Sequence, residues 1–215
     1  MTLGVQTACL EQYPLGEVLD FLQKTGIGQV ELISGHLMYK TPAYCEDVAA
    51  EVHERGMTIS GYVWDGNGAI PWFQGRRFRA MEPGVRLVNE FHPPGDFAST
   101  PERAIALIDE VDSPNFTACL DFCHAEVMAP GDAEGFIRRL GVERIGHIHI
   151  AGGDSHPHMH RAVGTGEVDA IRLLAVLREI GYDANYSLCL YGNPLPRRAI
   201  RQSVDYLRAN GYFVA

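Results

Sequence analysis

Five of the nine histidines fall between His147 and Arg161, in the run HIHIAGGDSHPHMHR. Neutral imidazole is the commonest protein metal ligand, and it exchanges protons near neutral pH. Such density in one short run therefore points to a metal or an anionic substrate. The run opens with strand alternation: Ile148 and Ile150 face one way, His147 and His149 the other. Two glycines followed by Asp, Ser and Pro then end the strand. Glu90 and Asp121 occupy matching positions on the two preceding strands. With His149 they offer two oxygens and a nitrogen to one divalent ion. His92 faces inward at the end of its strand, and His124 stands just past the Asp121 position, where a side chain can orient a substrate or add a ligand.

The elements that must position these groups alternate strictly. Strands are expected over Leu3 to Cys9, Gln29 to Ser34, Met57 to Trp64, Val85 to His92, Asn115 to His124, His147 to Ile150, and Tyr186 to Tyr191. Helices are expected over Pro14 to Thr25, from Thr41-Pro42 to Gly56, and from Thr100-Pro101 through Val111. Three more are expected over Asp132 to Leu140, Ala170 to Ile180 and Ala199 to Ala209. Thr followed by Pro is a helix-start signal, and Gly26, Gly56 and Gly141 are stops. Strand, helix, strand throughout means right-handed parallel crossovers, hence an open doubly wound sheet or a barrel.

The interior-facing positions decide between the two. They carry Glu31; Glu90 and His92; Cys119, Asp121 and Cys123; His147 and His149; Ser187, Cys189 and Tyr191; and, on the third strand, Ser60, Tyr62 and Trp64. Under the helices of an open sheet each would be a buried polar group at a cost of about 1–3 kcal/mol unless satisfied. In a barrel they converge at the C-terminal mouth, where that fold keeps its chemistry. No Gly-rich dinucleotide turn follows the first strand. The sequence thus predicts an α/β chain with a TIM-type (β/α) barrel, as one domain over residues 1–215. The stretch between Trp64 and Gly84 is too short for a full crossover, so the barrel is expected to lack about one βα unit. Trp72, Phe73 and Phe78 in that stretch would plug the gap or be covered by a second subunit, predicting a homodimer.

Composition sets outer bounds. An apolar fraction of 46% with 21% charged residues describes an ordinary globular chain. A net charge of −9 argues against nucleic acid, and the cluster Arg76, Arg77 and Arg79 is too short to reverse that. Five cysteines without paired spacing suggest a reducing compartment. With neither a leader-like start nor a run long enough to span a membrane, a cytoplasmic protein acting on a small molecule is expected.

The motifs NEFHP (Asn89 to Pro93), LDFCH (Leu120 to His124), IGHIHIAGGD (Ile145 to Asp154), VGTGEVD (Val163 to Asp169) and EIGYDANYSL (Glu179 to Leu188) resemble, in this order, the xylose-isomerase-like barrel superfamily. That group includes sugar isomerases and epimerases, inosose and dehydroshikimate dehydratases, and the barrel-type apurinic-site endonucleases. The resemblance implies one divalent metal (Mn, Zn, Co or Mg) held by Glu, Asp, His and a final Glu. The first three match Glu90, Asp121 and His149, and the substrate-contacting histidine matches His124. The substrate-clamping arginine matches Arg161 across a loop of different length, with Trp64 and His147 as further substrate contacts. His158 and His160 before Gly164-Thr165-Gly166 resemble the endonuclease pattern for extra metals, with its aspartate replaced; the acidity of the chain speaks against DNA.

One departure stands out. Where the final glutamate belongs, this chain has Cys189, either a possible fourth, thiolate ligand for a soft metal or an inert buried thiol. The base rate for buried cysteine favours the inert thiol. The resulting expectation is an isomerase or epimerase-like enzyme on a sugar- or cyclitol-like hydroxy-carbonyl compound, working through an enolate. Glu90 would serve as base, and His124 or His92 would relay the proton. A dehydratase on the same scaffold, or a non-catalytic barrel that has lost its metal, are the alternatives.

Overall fold

The computed structural model describes residues 1–37, 39, 41–63, 86–92, 98–154 and 159–214. Seven parallel strands form its main sheet: β1 (Leu3–Gln6), β2 (Gln29–Ile33), β3 (Thr58–Val63), β4 (Leu87–Glu90), β5 (Phe116–Asp121), β6 (Ile145–Ile150) and β9 (Asn185–Leu188). Their order is β3-β2-β1-β9-β6-β5-β4, so the last main-sheet strand lies beside the first and the sheet curls into a half-barrel. Among the described residues β3 and β4 form its two edges, consistent with a TIM barrel that is shortened there. Trp64, Trp72, Phe73, Phe78 and the arginine cluster lie outside the described residues, as do His156 and His158.

The helices are α1 (Leu15–Lys24), α2 (Pro42–Glu54), α3 (Pro101–Val111), α4 (Phe122–Met128), α5 (Ala133–Leu140), α6 (Ala170–Glu179) and α7 (Pro196–Ala209). Thr41 and Thr100 cap α2 and α3 as the Thr-Pro signals predict, accepting from the Tyr44 and Arg103 amides. Each cap contributes about 1 kcal/mol. The apolar halves of the strands (Val5, Val30, Ile148, Ile150, Leu188, all fully buried) pack with the buried helix residues Val18, Leu22, Ile137, Leu177 and Ile200. The opposite strand faces are thereby left to line the barrel interior.

Three expectations are corrected. The first strand stops at Gln6 because Thr7–Leu10 turns into a 3₁₀ helix. The fifth strand stops at Asp121, since the Asp121 carboxylate accepts the Cys123 and His124 amides and starts α4 there. Cys123 therefore leaves the interior stripe, and its Sγ lies beneath a hairpin, 3.5 Å from the Met159 carbonyl oxygen. That hairpin, β7 (Gly152–Asp154) with β8 (Met159–Arg161), is antiparallel where the sequence reads as loop. A Cβ on Gly153 would strike the Met159 carbonyl, so only glycine permits so close an approach.

Candidate metal centre

The interior stripes of six strands, with α4 and the hairpin, supply the polar groups at the mouth. Glu90 ends β4, Asp121 ends β5, and His147 and His149 belong to β6; Cys189 directly follows β9. One ligand atom each from Glu90, Asp121, His149 and Cys189 lies within 4.8 Å of the other three. Ligands at about 2.0–2.3 Å around a tetrahedral ion lie roughly 3.3–3.8 Å apart, so the four would draw in by up to about an ångström to share one ion. Asp121 Oδ1 is used by the Cys123 and His124 amides at 2.7 and 3.0 Å. Its Oδ2 is buried without a hydrogen-bond partner among the described residues. A buried carboxylate oxygen left without a donor is costly unless a cation takes it, so the donor set fits a divalent ion.

Around this group the histidines form a shell. His124 Nδ1 lies 3.5 Å from Glu90 Oε1, and the exposed His92 places Nε2 at 3.7 Å from Glu90 Oε2. The rings of His92 and His124 are 4.5 Å apart. His149 Nδ1 lies 3.0 Å from Glu90 Oε1, and its Nε2 2.9 Å from Glu31 Oε2. His160 of β8 reaches both Asp121 Oδ1 (3.6 Å) and Cys189 Sγ (3.7 Å). The alternation that sends His160 inward sends Arg161 the other way, where it pairs with Asp154 at 2.6 Å. Arg161 is not among the described cavity-lining residues, and Trp64 lies outside the described residues. His147 does line the cavity, but its Nε2 is engaged by Glu31 and Ser187.

Burial opposes ionisation of all three acids, yet each is held below the usual carboxylate range. For Glu31 the opposing charges are His149 and His147. For Glu90 the opposing charge is chiefly His149, and for Asp121 it is His160 and His149; His124 adds to either only where it is itself protonated. Burial likewise disfavours a charged His149, but the outcome is a proton held well above the ordinary histidine value. The adjacent Cys119 thiol is itself pushed up by burial and is neutral at neutral pH. The Glu31 and Glu90 carboxylates are therefore what hold that proton. Burial also opposes charge on His160, yet Asp121 pushes it up to about 11. His124 goes the other way, because burial outweighs its acidic neighbours and lowers it. Without metal the acids are thus balanced by imidazolium, which a divalent cation can replace.

Two contributors were not assigned roles from the sequence. Glu31 is the one acid in VELI, visible as an inward residue but not as a partner of His149. Gln6, at the end of β1, lies 3.3 Å from His149 Nε2 and 3.4 Å from Cys189 Sγ. The groups enclose a cavity of about 1170 Å³, which Tyr62 and Tyr191 also line.

A family model described as the xylose isomerase-like TIM barrel matches residues 75–210, more than half of the chain and all the strands from β4 onward. The chain belongs to the xylose isomerase-like TIM barrel family. Among curated members, the L-ribulose 3-epimerase of Methylomonas sp. (strain DH-1) is 31% identical over 98 residues, covering 46% of this chain and 31% of that protein. A putative hydroxypyruvate isomerase of Xenopus laevis is 28% identical over 111 residues, covering 52% of this chain and 37% of that protein. The matched part is thus about a third of the length of each relative. Among solved family structures, D-psicose 3-epimerase with D-tagatose from Clostridium cellulolyticum H10 superposes with a TM-score of 0.75. It is 14% identical and covers 99% of this chain and 100% of that one. The IOLI protein with a binding zinc atom gives 0.71 at 18% identity, covering 100% of both chains. At these identities the two structures establish the shared fold.

Proposed function

We propose that this chain is a divalent-metal isomerase acting on a small hydroxy-carbonyl compound of sugar-like or cyclitol-like structure. The observation that carries the reading is the convergence of Glu90, Asp121, His149 and Cys189 within 4.8 Å, beside a buried Asp121 carboxylate with one oxygen left without a donor among the described residues. The relatives named for ribulose epimerisation and hydroxypyruvate isomerisation support the same substrate class. A divalent ion held by the four groups would polarise a substrate carbonyl and its neighbouring hydroxyl, lowering the barrier to enolate formation.

The residues divide the remaining work. Glu90 is ionised at neutral pH and lies at the mouth, so it can accept a proton from the carbon beside the carbonyl. His124, neutral because it is buried, is close enough to Glu90 to take that proton and return it to the neighbouring oxygen or carbon. His92, exposed and with its ring tilted against that of His124 at 4.5 Å, carries exchange with solvent. The position opposite holds Cys189 where the family pattern has a second carboxylate, so a reaction with a single base is favoured over two-base epimerisation. Loss of a hydroxyl from the same enolate, a dehydratase reaction, also needs one base and is the second reading. Five free cysteines fit a reducing compartment.

Metal content tests the reading. Protein purified without chelator is expected to hold about one equivalent of divalent metal, and Asp121→Ala is expected to lose it. A chelator should lower the melting temperature of the parent protein and leave that of Asp121→Ala unchanged. Metal that persists in Asp121→Ala, or a parent protein without metal, would count against it.

A further inference from the structure

His149 offers its two ring nitrogens to two different carboxylates. Nδ1 faces Glu90 at 3.0 Å and Nε2 faces Glu31 at 2.9 Å. An ionised carboxylate only accepts, so without metal both nitrogens carry a proton; Glu90 belongs to the converging donors and Glu31 does not, so an ion there would displace the Nδ1 proton and leave the one facing Glu31. The same Glu31 oxygen lies 3.2 Å from His147 Nε2, which also lies 3.0 Å from the Ser187 hydroxyl. Glu31, His147, His149 and Ser187 are all buried. The two imidazoles stand almost perpendicular, with ring centroids 5.2 Å apart. Glu31 thus lies where two histidines from one strand can be held at once, from β2, two strands removed from β6 across β1 and β9.

We infer that Glu31 is a positioning residue, which takes the Nε2 proton of His149 and leaves Nδ1 as the ligating nitrogen. A carboxylate behind a ligating imidazole fixes its tautomer and ring angle and raises its basicity. Gln6 completes the arrangement. Its amide nitrogen at 3.3 Å from His149 Nε2 would set donor against donor. A half-turn of the amide, which exchanges two nearly indistinguishable atoms, points the oxygen at that N–H. The NH₂ group then faces Cys189 Sγ, where the oxygen now stands at 3.4 Å, and can donate to a thiolate. One carboxylate and one amide therefore orient the nitrogen and sulfur donors together.

The inference rests on the metal reading above, and the experiment separates the two. Zinc affinity is measured by chelator competition for the parent protein, Glu31→Gln, Glu31→Asp and His147→Gln. Glu31→Gln is expected to bind zinc about 10–100-fold more weakly, the range typical for loss of such a partner. Glu31→Asp should recover part of that loss, and His147→Gln should stay within a few-fold of the parent because Glu31 keeps its hold on His149. Nitrogen NMR of histidine-labelled, zinc-loaded parent protein should show the His149 proton on Nε2 and zinc on Nδ1. If Glu31→Gln does not fold, that spectrum decides alone. Zinc on Nε2, or undiminished affinity in Glu31→Gln, overturns the inference and leaves the metal reading standing. A parent protein that binds no zinc overturns both.

Discussion

As fourth donor of the proposed centre, Cys189 would set which ion is held there. Two of the four converging donors, the carboxylates, are ordinary for Mg²⁺ or Mn²⁺, but imidazole and above all a soft thiolate favour Zn²⁺ or Co²⁺. The base rate alone would make this an inert buried thiol. The structure instead brings its Sγ within reach of Glu90, Asp121 and His149, with Gln6 and His160 beside it. Cys189→Ser is therefore expected to weaken zinc binding at least tenfold, and Cys189→Glu to shift preference toward Mn²⁺ or Mg²⁺. Cobalt-substituted protein gives the direct reading: an intense near-ultraviolet thiolate band, absent in Cys189→Ser. Equal zinc affinity in the two proteins would mean that the sulfur is only packed there. The other cysteines separate by exposure. Cys9 is buried and pushed up to about 12 by that burial, Cys119 is pushed up further, and Cys45 is exposed. Since the thiolate is the reactive form and Cys45 is exposed, brief iodoacetamide treatment at pH 8 should label Cys45 before Cys9 or Cys119. Early label on Cys9 or Cys119, located by mass spectrometry, would show that the core opens readily.

Asp121 belongs to two elements at once: it ends β5 and caps α4, with Oδ1 on two amides and Oδ2 buried without a donor among the described residues. The two duties can be separated, because Asn caps a helix about as well as Asp but brings no charge. Asp121→Asn should lose most of the metal and keep the cap. Asp121→Ala should lose both, and its metal-free form should unfold about 1 kcal/mol more easily than metal-free Asp121→Asn. Equal stability of the two, measured by urea denaturation, would remove the capping role. Much of this level was legible in the chain. Period-two alternation placed Glu90, Asp121, His147 and His149 on inward faces, because strands with one apolar side leave little choice of facing. The β7–β8 hairpin was not legible, since GGD and MHR are too short to alternate and their pairing depends on glycines that admit a close backbone approach. For the same reason His160 read as part of a loop. The contact between Glu31 and His149 was out of reach for another cause: their strands are not neighbours, and only the curl of the sheet brings the side chains together.

At the scale of the molecule, the same shortening that removes a βα unit decides what the sheet edges must do. Among the described residues β3 and β4 are both edges, and β3 exposes the apolar Ile59, which does not line the cavity, besides Tyr62, which does. Paired backbone groups on one side and unpaired ones on the other make an edge strand a template for another chain, and natural folds cover or charge such edges. β3 (TISGYV) carries no charged residue at all, unlike the acidic surface expected from a net charge of −9. A two-fold dimer is the commonest way to cover such a face, and an uncharged strand avoids the repulsion that acidic surfaces would bring to the contact. Light scattering at micromolar concentration is thus expected to give twice the 23.7 kDa chain mass. Ile59→Lys should return the monomer while leaving metal content unchanged, because Ile59 is not among the residues lining the metal cavity. A parent protein that already runs as a monomer would mean that the edge is covered from within the chain, and Ile59→Lys would then change neither mass nor metal.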